Sequence, residues 1–137
     1  MIDRFETFRS INNRLRPDGA RRILIAEDYV DLARVMESLL RHCGFDVKVI
    51  HDGRAVLELA REFLPHYLLL DIRLPGMSGY EVATLIRHEE SLNRCVIMGI
   101  SAYRAASACD PMIENYFDHY LIKPFELDVL LSILDGP

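Results

Sequence analysis

Polar residues stand at the ends of four short apolar runs, and their types suit one another. Ile23-Leu24-Ile25-Ala26 stops at Glu27-Asp28. Tyr67 to Leu70 stops at Asp71, Val96 to Ile100 at Ser101, and Tyr120-Leu121-Ile122 at Lys123. Val47 to Ile50 ends in His51-Asp52, a weaker case. Three carboxylates brought together repel one another and need a cation. Oxygen donors without His or Cys suit a hard ion such as Mg²⁺. Lys123 adds a positive point charge and Ser101 a hydroxyl donor. That combination suits a phosphoryl group, whose transfer depends mainly on positioning and charge neutralisation. A carboxylate can itself be the nucleophile, giving an aspartyl phosphate.

Each residue taken singly has a plainer reading. Asp28 or Asp31 could cap a helix N-terminus. Lys123-Pro124 could be a strand-to-helix turn with Pro at the helix start. Ser101 alone is a loop residue. The shared position, each at the end of its run, favours the joint reading.

The elements that must position these residues alternate. After the first apolar run, Leu32, Val35, Met36, Leu39 and Leu40 recur at helical spacing, and Gly44 is placed to end that helix. Val47–Ile50 reads as an edge strand. Val56, Leu59, Ala60 and Phe63 mark a second helix stopped by Pro65. Ser78 is placed to cap a third, bearing Val82, Leu85 and Ile86. Leu127, Leu130, Leu131 and Leu134 form a last helix face. Strands separated by helices predict right-handed parallel crossovers, an α/β sheet covered on both faces. The buried centre of such a sheet explains the unbroken leucines before Asp71. With strand one between strands two and three, the order is 2-1-3-4-5. All the polar ends then meet on one edge, at the switch point in strand order.

Two segments fit less regularly. In residues 1–20, Ile2, Phe5, Phe8, Ile11 and Leu15 recur at roughly helical spacing before Pro17-Asp18-Gly19 breaks the pattern. Docking on a partner, on a second copy or on its own domain stands beside a frayed tail or the end of an upstream domain. Between Arg104 and Asn115, Pro111 predicts a short or late helix, with Asp110-Pro111 as its start.

A chain of 137 residues suits one domain, here 21–137, after an extension over 1–20. The formal charge of −5 gives no electrostatic reason to expect direct nucleic-acid binding. No apolar run is long enough for a membrane span, no secretory signal is visible, and Cys43, Cys95 and Cys109 form no close pair. The expectation is a cytoplasmic protein with reduced thiols.

With Glu27-Asp28, "LLLDIRLPGMSGYEV" around Asp71, "ISAY" with Ser101 and Ala102, and "HYLIKPF" with Tyr120 and Lys123, the chain from about Arg22 to Leu134 resembles the receiver domains of two-component response regulators. The resemblance implies a flavodoxin-like fold and a Mg²⁺-dependent phosphoacceptor. Asp71 would take phosphate from the phosphohistidine of a histidine kinase or phosphotransfer protein. Asp28, Asp71 and the backbone carbonyl of Arg73 would bind Mg²⁺, and Glu27 would act mainly through water. Lys123, Ser101 and the Ala102 N–H would bind the phosphoryl oxygens. Ser101 and Tyr120 would form a switch that moves the surface of the fourth crossover helix, the fifth strand and the last helix. Arg73 and Tyr103 would lie near the path of an attacking water and would tune dephosphorylation.

Glu27 stands where the family more often has Asp, and Ser101 where it often has Thr. Pro111 departs from the usual output helix. "FDHYLIKPFELDVL" is similar to receivers at the ends of hybrid histidine kinases. Origin as a free-standing protein or as part of a larger one stays open, as does homodimerisation. The resemblance implies an acceptor that catalyses its own phosphorylation and dephosphorylation, not an enzyme in the ordinary sense. A phosphorylation-independent interaction module on the same fold is the alternative. An Asp-based phosphatase is disfavoured, because Asp71-Ile72-Arg73 lacks a second carboxylate two residues on.

Overall fold

Along the first strand, alternate residues face opposite ways, and the apolar contacts sort accordingly. Ile23 and Ile25 pack into one buried layer, Leu24 and Ala26 into another. In the computed structural model, residues 19–102 and 115–134 are described. The helical spacing of residues 2–15, Tyr103 and the segment around Pro111 lie outside them.

The elements run β1 (Arg22–Ala26), α1 (Val30–His42), β2 (Asp46–Ile50), α2 (Val56–Phe63), β3 (Tyr67–Asp71), α3 (Gly79–His88), β4 (Val96–Ser101), β5 (His119–Ile122) and α4 (Leu127–Leu134). Short 3₁₀ turns, Gly53–Ala55 and Glu90–Leu92, precede α2 and β4. All strand pairs are parallel, and the order is β2-β1-β3-β4-β5. This is the flavodoxin-like, doubly wound arrangement expected from the alternating pattern.

Helices α1 and α4 cover one face, where Met36, Leu40, Leu130, Leu131 and Leu134 meet Ile25, Leu69, Met98 and Ile100. Helices α2 and α3 cover the other, where Val56, Ala60, Phe63, Val82 and Ile86 meet Leu24, Leu68, Leu70 and Ile97. Every residue of β3 is buried, so its leucines need no polar alternation. Each fully buried Leu or Ile contributes about 2 kcal/mol by the area removed from water. β2 is an edge strand, with Asp46 and Lys48 exposed.

The helix ends follow local chemistry. α1 stops in a Schellman arrangement: Gly44, at φ +97°, donates to the Arg41 carbonyl (3.0 Å) and Phe45 to the Leu40 carbonyl (3.1 Å). Ser78 caps α3 by accepting from the Glu81 N–H at 3.3 Å. Two local readings are corrected. The residue preceding α1 is Tyr29, with no side-chain cap, so neither Asp28 nor Asp31 does that work. Pro124 does not open the last helix, which starts at Leu127; the Lys123-Pro124 peptide is cis.

Candidate functional site

The two-residue period of a strand explains why three charged side chains meet. Ile25, Leu69 and Leu121 all face the layer under α1 and α4. Glu27, Asp71 and Lys123 each follow two residues later, and so lean to that same side. The ladder continues far enough to hold them. Glu27 donates its N–H to the Ile50 carbonyl (3.0 Å), and Lys123 donates its N–H to the Ser101 carbonyl (2.8 Å). His51 Nδ1 also lies 2.8 Å from the Glu27 carbonyl, which clamps that backbone from the β2 side.

At the carboxyl edge of the sheet, Lys123 Nζ donates to Glu27 Oε1 at 2.5 Å and to Asp71 Oδ2 at 3.1 Å. The other oxygens are also held. Asp71 Oδ1 accepts from the Arg73 N–H at 2.8 Å, and Glu27 Oε2 from the Tyr29 N–H at 3.3 Å. Glu27 is 1% exposed and Asp71 5%, whereas Asp28 lies open to solvent. Glu27, Asp28 and Asp71 each offer an oxygen, all within 4.8 Å of one another. Ser101, 5% exposed, ends β4 beside them; Ala102 follows, exposed.

The charges do not balance, and the titration of the site reflects it. Burial pushes the Glu27 carboxyl up to about 7, and its contact with Asp71 adds to the rise; Lys123 opposes it. Burial by itself would depress the Lys123 ammonium. The hydrogen bond to Glu27 and the charges of Asp71 and Glu27 outweigh that, so its pKa rises. One ammonium therefore serves two buried carboxylates with a third at the mouth. A surplus of oxygen anions with no nitrogen or sulfur ligand among the three fits a hard divalent cation.

The loop after β3 is built for close approach. Gly79 donates to the Ile72 carbonyl (2.8 Å), and a Cβ there would lie 2.6 Å from the Asp71 carbonyl oxygen. Gly53 donates to the Pro75 carbonyl (3.0 Å), tying the turn before α2 to the same loop. Gly76, at φ +80°, would drive a Cβ to 2.5 Å from Asp52 Oδ1. Thus Pro75-Gly76 folds the chain sharply back to α3 and holds Asp71 against the neighbouring loop.

The structure brings Glu27, Asp28, Asp71, Ser101 and Lys123 to one edge, with Arg73 exposed in the adjoining loop. Tyr120 packs against the buried layer under α2 and α3. Its half-buried ring stacks on Phe117, centroids 4.9 Å apart, over Gly99. Tyr103 lies outside the described residues. Tyr29 and His51 hold Glu27 from the backbone side, and neither was assigned to the site from the sequence. His51 had a signal, since it ends β2 as the other residues end their strands. Tyr29 had none: nothing in an aromatic beside an acidic pair tells where its N–H points.

The sequence profile of the response regulator receiver domain matches residues 23–135. The chain belongs to that family, and so to the phosphorelay systems of two-component signalling. It is 35% identical over 111 residues to the DNA-binding response regulator MtrA of Mycolicibacterium paratuberculosis, covering 81% of this chain and 48% of MtrA. The chain thus spans about half the length of the curated relatives it matches. Two solved structures carry the comparison to the site. The receiver domain of a sensor histidine kinase from Pseudomonas aeruginosa, with a magnesium ion coordinated in its active-site cleft, is 29% identical with a TM-score of 0.74, covering 85% of this chain and 98% of that one. The response regulator TrrA from Thermotoga maritima, in complex with Mg²⁺-BeF, is 25% identical with a TM-score of 0.75, covering 83% and 96%. Among the described residues, no helix is long and apolar enough to cross a membrane.

Proposed function

We propose that Asp71 accepts a phosphoryl group from the phosphohistidine of a histidine kinase or phosphotransfer protein. The observation that carries this reading is Lys123 Nζ, hydrogen-bonded at once to Asp71 and Glu27 within a trio of carboxylates. A carboxylate oxygen of Asp71 attacks phosphorus, the P–N bond to the donor imidazole breaks, and the product is an acyl phosphate. The imidazole leaves with the bonding pair and is protonated by solvent or donor.

Asp28, Asp71 and the Arg73 carbonyl would hold Mg²⁺, with Glu27 contributing mainly through water. When bound, the ion neutralises the incoming phosphoryl oxygens. The chain's own groups do the rest. The Arg73 N–H and Lys123 fix the Asp71 carboxylate. Lys123 follows the developing charge because it already lies 3.1 Å away. Ser101 and the Ala102 N–H receive the phosphoryl oxygens from the β4 side. The two small devices at β4 and β5 form the switch on this reading: Ser101 moves toward phosphate, and the Tyr120 ring follows into the space released. Hydrolysis of the acyl phosphate by water, at a rate set in part by Arg73 and Tyr103, resets the domain without a separate enzyme. Output then passes to a partner protein through the surface around β5 and α4, and not by direct contact of this domain with nucleic acid.

Intact-mass measurement after incubation with acetyl phosphate tests the reading. One phosphate should add to the chain with Mg²⁺ and none with EDTA, and Asp71→Asn should abolish the gain. An interaction module that works without phosphorylation takes up none in either condition. Turnover of simple phosphate esters would point to a phosphatase instead.

A further inference from the structure

Beyond the amino edge of the sheet, away from Asp71, the side chains carry charge of the other sign. Strand register explains why they meet. Ile23 pairs with Tyr67, and Tyr67 with Val96. The residues just before these three, Arg22, His66 and Cys95, therefore stand side by side, with Arg21 and Arg94 one position further back. A cavity of about 390 Å³ lies there, lined by Arg21, Arg22, His66 and Arg94 and by the apolar Leu64 and Leu92. Its volume is in the range of small-molecule sites. Among the described residues no carboxylate lines it, although the chain carries −5 overall.

The arginines are positioned but not neutralised. Arg22 Nε donates to the Leu64 carbonyl (2.9 Å). The Arg22 N–H donates to His66 Nδ1 (2.9 Å), so the His66 proton sits on Nε2 and the ring is neutral. Arg21 donates through Nη1 to the Tyr67 hydroxyl and to the Leu134 carbonyl (3.1 Å), while its buried Nε has no acceptor among the described residues. None of the three arginines forms an ion pair among the described residues; Glu89, close in sequence, is taken by Arg61 at 3.0 Å. Leu64 adds an apolar surface beside them. It ends α2 in the left-handed region, at φ +51°, and is 43% exposed.

We propose that this cavity binds a phosphorylated small molecule, its phosphate held by Arg22 and Arg94 and its organic body seated against Leu64 and Leu92. The planar fork of a guanidinium matches phosphate oxygens. Three positive charges favour a dianion over a single carboxylate. Arg21, with Nη1 committed and Nε buried, contributes field and not contact. Tyr67 and Asp71 are opposite ends of β3, about 13 Å apart at 3.3 Å per residue, so the site is separate from the phosphoacceptor.

Phenyl phosphate joins both parts of the ligand in one probe. Amide shifts of the ¹⁵N-labelled full chain are followed as it is titrated to about 10 mM in EDTA, where the carboxylate trio without Mg²⁺ repels phosphate. Saturable shifts are expected at Arg22, His66, Arg94 and Val96, with residues around Asp71 unmoved. Inorganic phosphate should shift the same amides with weaker affinity. Arg94→Gln alters an exposed side chain with no partner among the described residues, and should leave Tm unchanged. It should weaken phenyl phosphate at least about tenfold, as should Arg22→Gln. The absence of saturable shifts at this edge would overturn the proposal, as would equal shifts from sodium chloride at matched ionic strength. So would Arg94→Gln binding like the parent, phenol acting as strongly as phenyl phosphate, or shifts confined to Asp71 and Lys123. Because the readout needs neither Mg²⁺ nor phosphoryl transfer, a failure here leaves the assignment of Asp71 intact, and the reverse also holds.

Discussion

Lys123 is the residue on which the charge arrangement of the site turns. It hydrogen-bonds two buried carboxylates that would otherwise face each other uncompensated. Lys123→Met should lower the stability of the metal-free protein by about 1–3 kcal/mol, the usual penalty for leaving buried charge unpaired at a partly open site. Mg²⁺ should restore most of that loss, while phosphorylation from acetyl phosphate falls at least tenfold; thermal unfolding with and without Mg²⁺ measures the first part. The Glu27 carboxyl supplies a pH dependence of opposite sign to the common one. Its pKa lies near 7 in the folded chain against 4.5 as the ordinary value, so between those values the folded state holds a proton that the unfolded state has released. Its contribution to stability is therefore largest below pH 4.5 and declines as pH rises through 7. Mg²⁺ requires the ionised form, so the Mg²⁺-induced rise in Tm should be larger at pH 8 than at pH 5.5. Equal shifts at both pH values would contradict this placement of Glu27. Cys95 behaves as a structural thiol: burial pushes it up to about 12, so it should resist maleimide in the native protein at pH 8.

At the scale of elements, the β3–α3 loop matters more than its length suggests. Gly79→Ala forces a Cβ against the Asp71 carbonyl oxygen and the Ile72 Cα, both backbone atoms. It should cost about 1–3 kcal/mol and, by displacing Asp71, slow phosphorylation about tenfold or more. Ser78→Ala one residue earlier removes only the α3 cap. It should cost about 0.5–1 kcal/mol and leave the phosphorylation rate nearly unchanged. Comparing the two by denaturant titration and acetyl phosphate kinetics separates loop geometry from helix stability. These elements were legible to different degrees. The leucines before Asp71 and the Gly44 stop could be read directly, because burial and positive φ leave strong marks on residue choice. The caps at Asp28 or Asp31 could not. An Asp ahead of a helix looks the same whether it caps or faces a metal site, and only the position of Tyr29 decides.

For the molecule as a whole, two apolar layers clamp a sheet whose polar groups are gathered at one edge. Alternation of side chains across β1, β3 and β5 gives both facts at once: the same period that sorts Ile25 from Leu24 delivers Glu27, Asp71 and Lys123 to one side. That is why most of the site was readable before any coordinates, once strand order 2-1-3-4-5 was inferred. What escaped was backbone support, such as the His51 and Tyr29 contacts to Glu27 and the Gly53–Pro75 tie. Such contacts depend on loop paths that leave little trace in residue type.

The central claim is that Asp71, and no other carboxylate of the trio, becomes the phosphorylated group. Borohydride reduction of the freshly phosphorylated chain converts an aspartyl phosphate to homoserine, and peptide mapping then reads its position. Homoserine at position 71 alone, formed with Mg²⁺ and absent with EDTA, is the predicted result. Homoserine at position 28 or elsewhere, or labelling indifferent to Mg²⁺, would contradict the account.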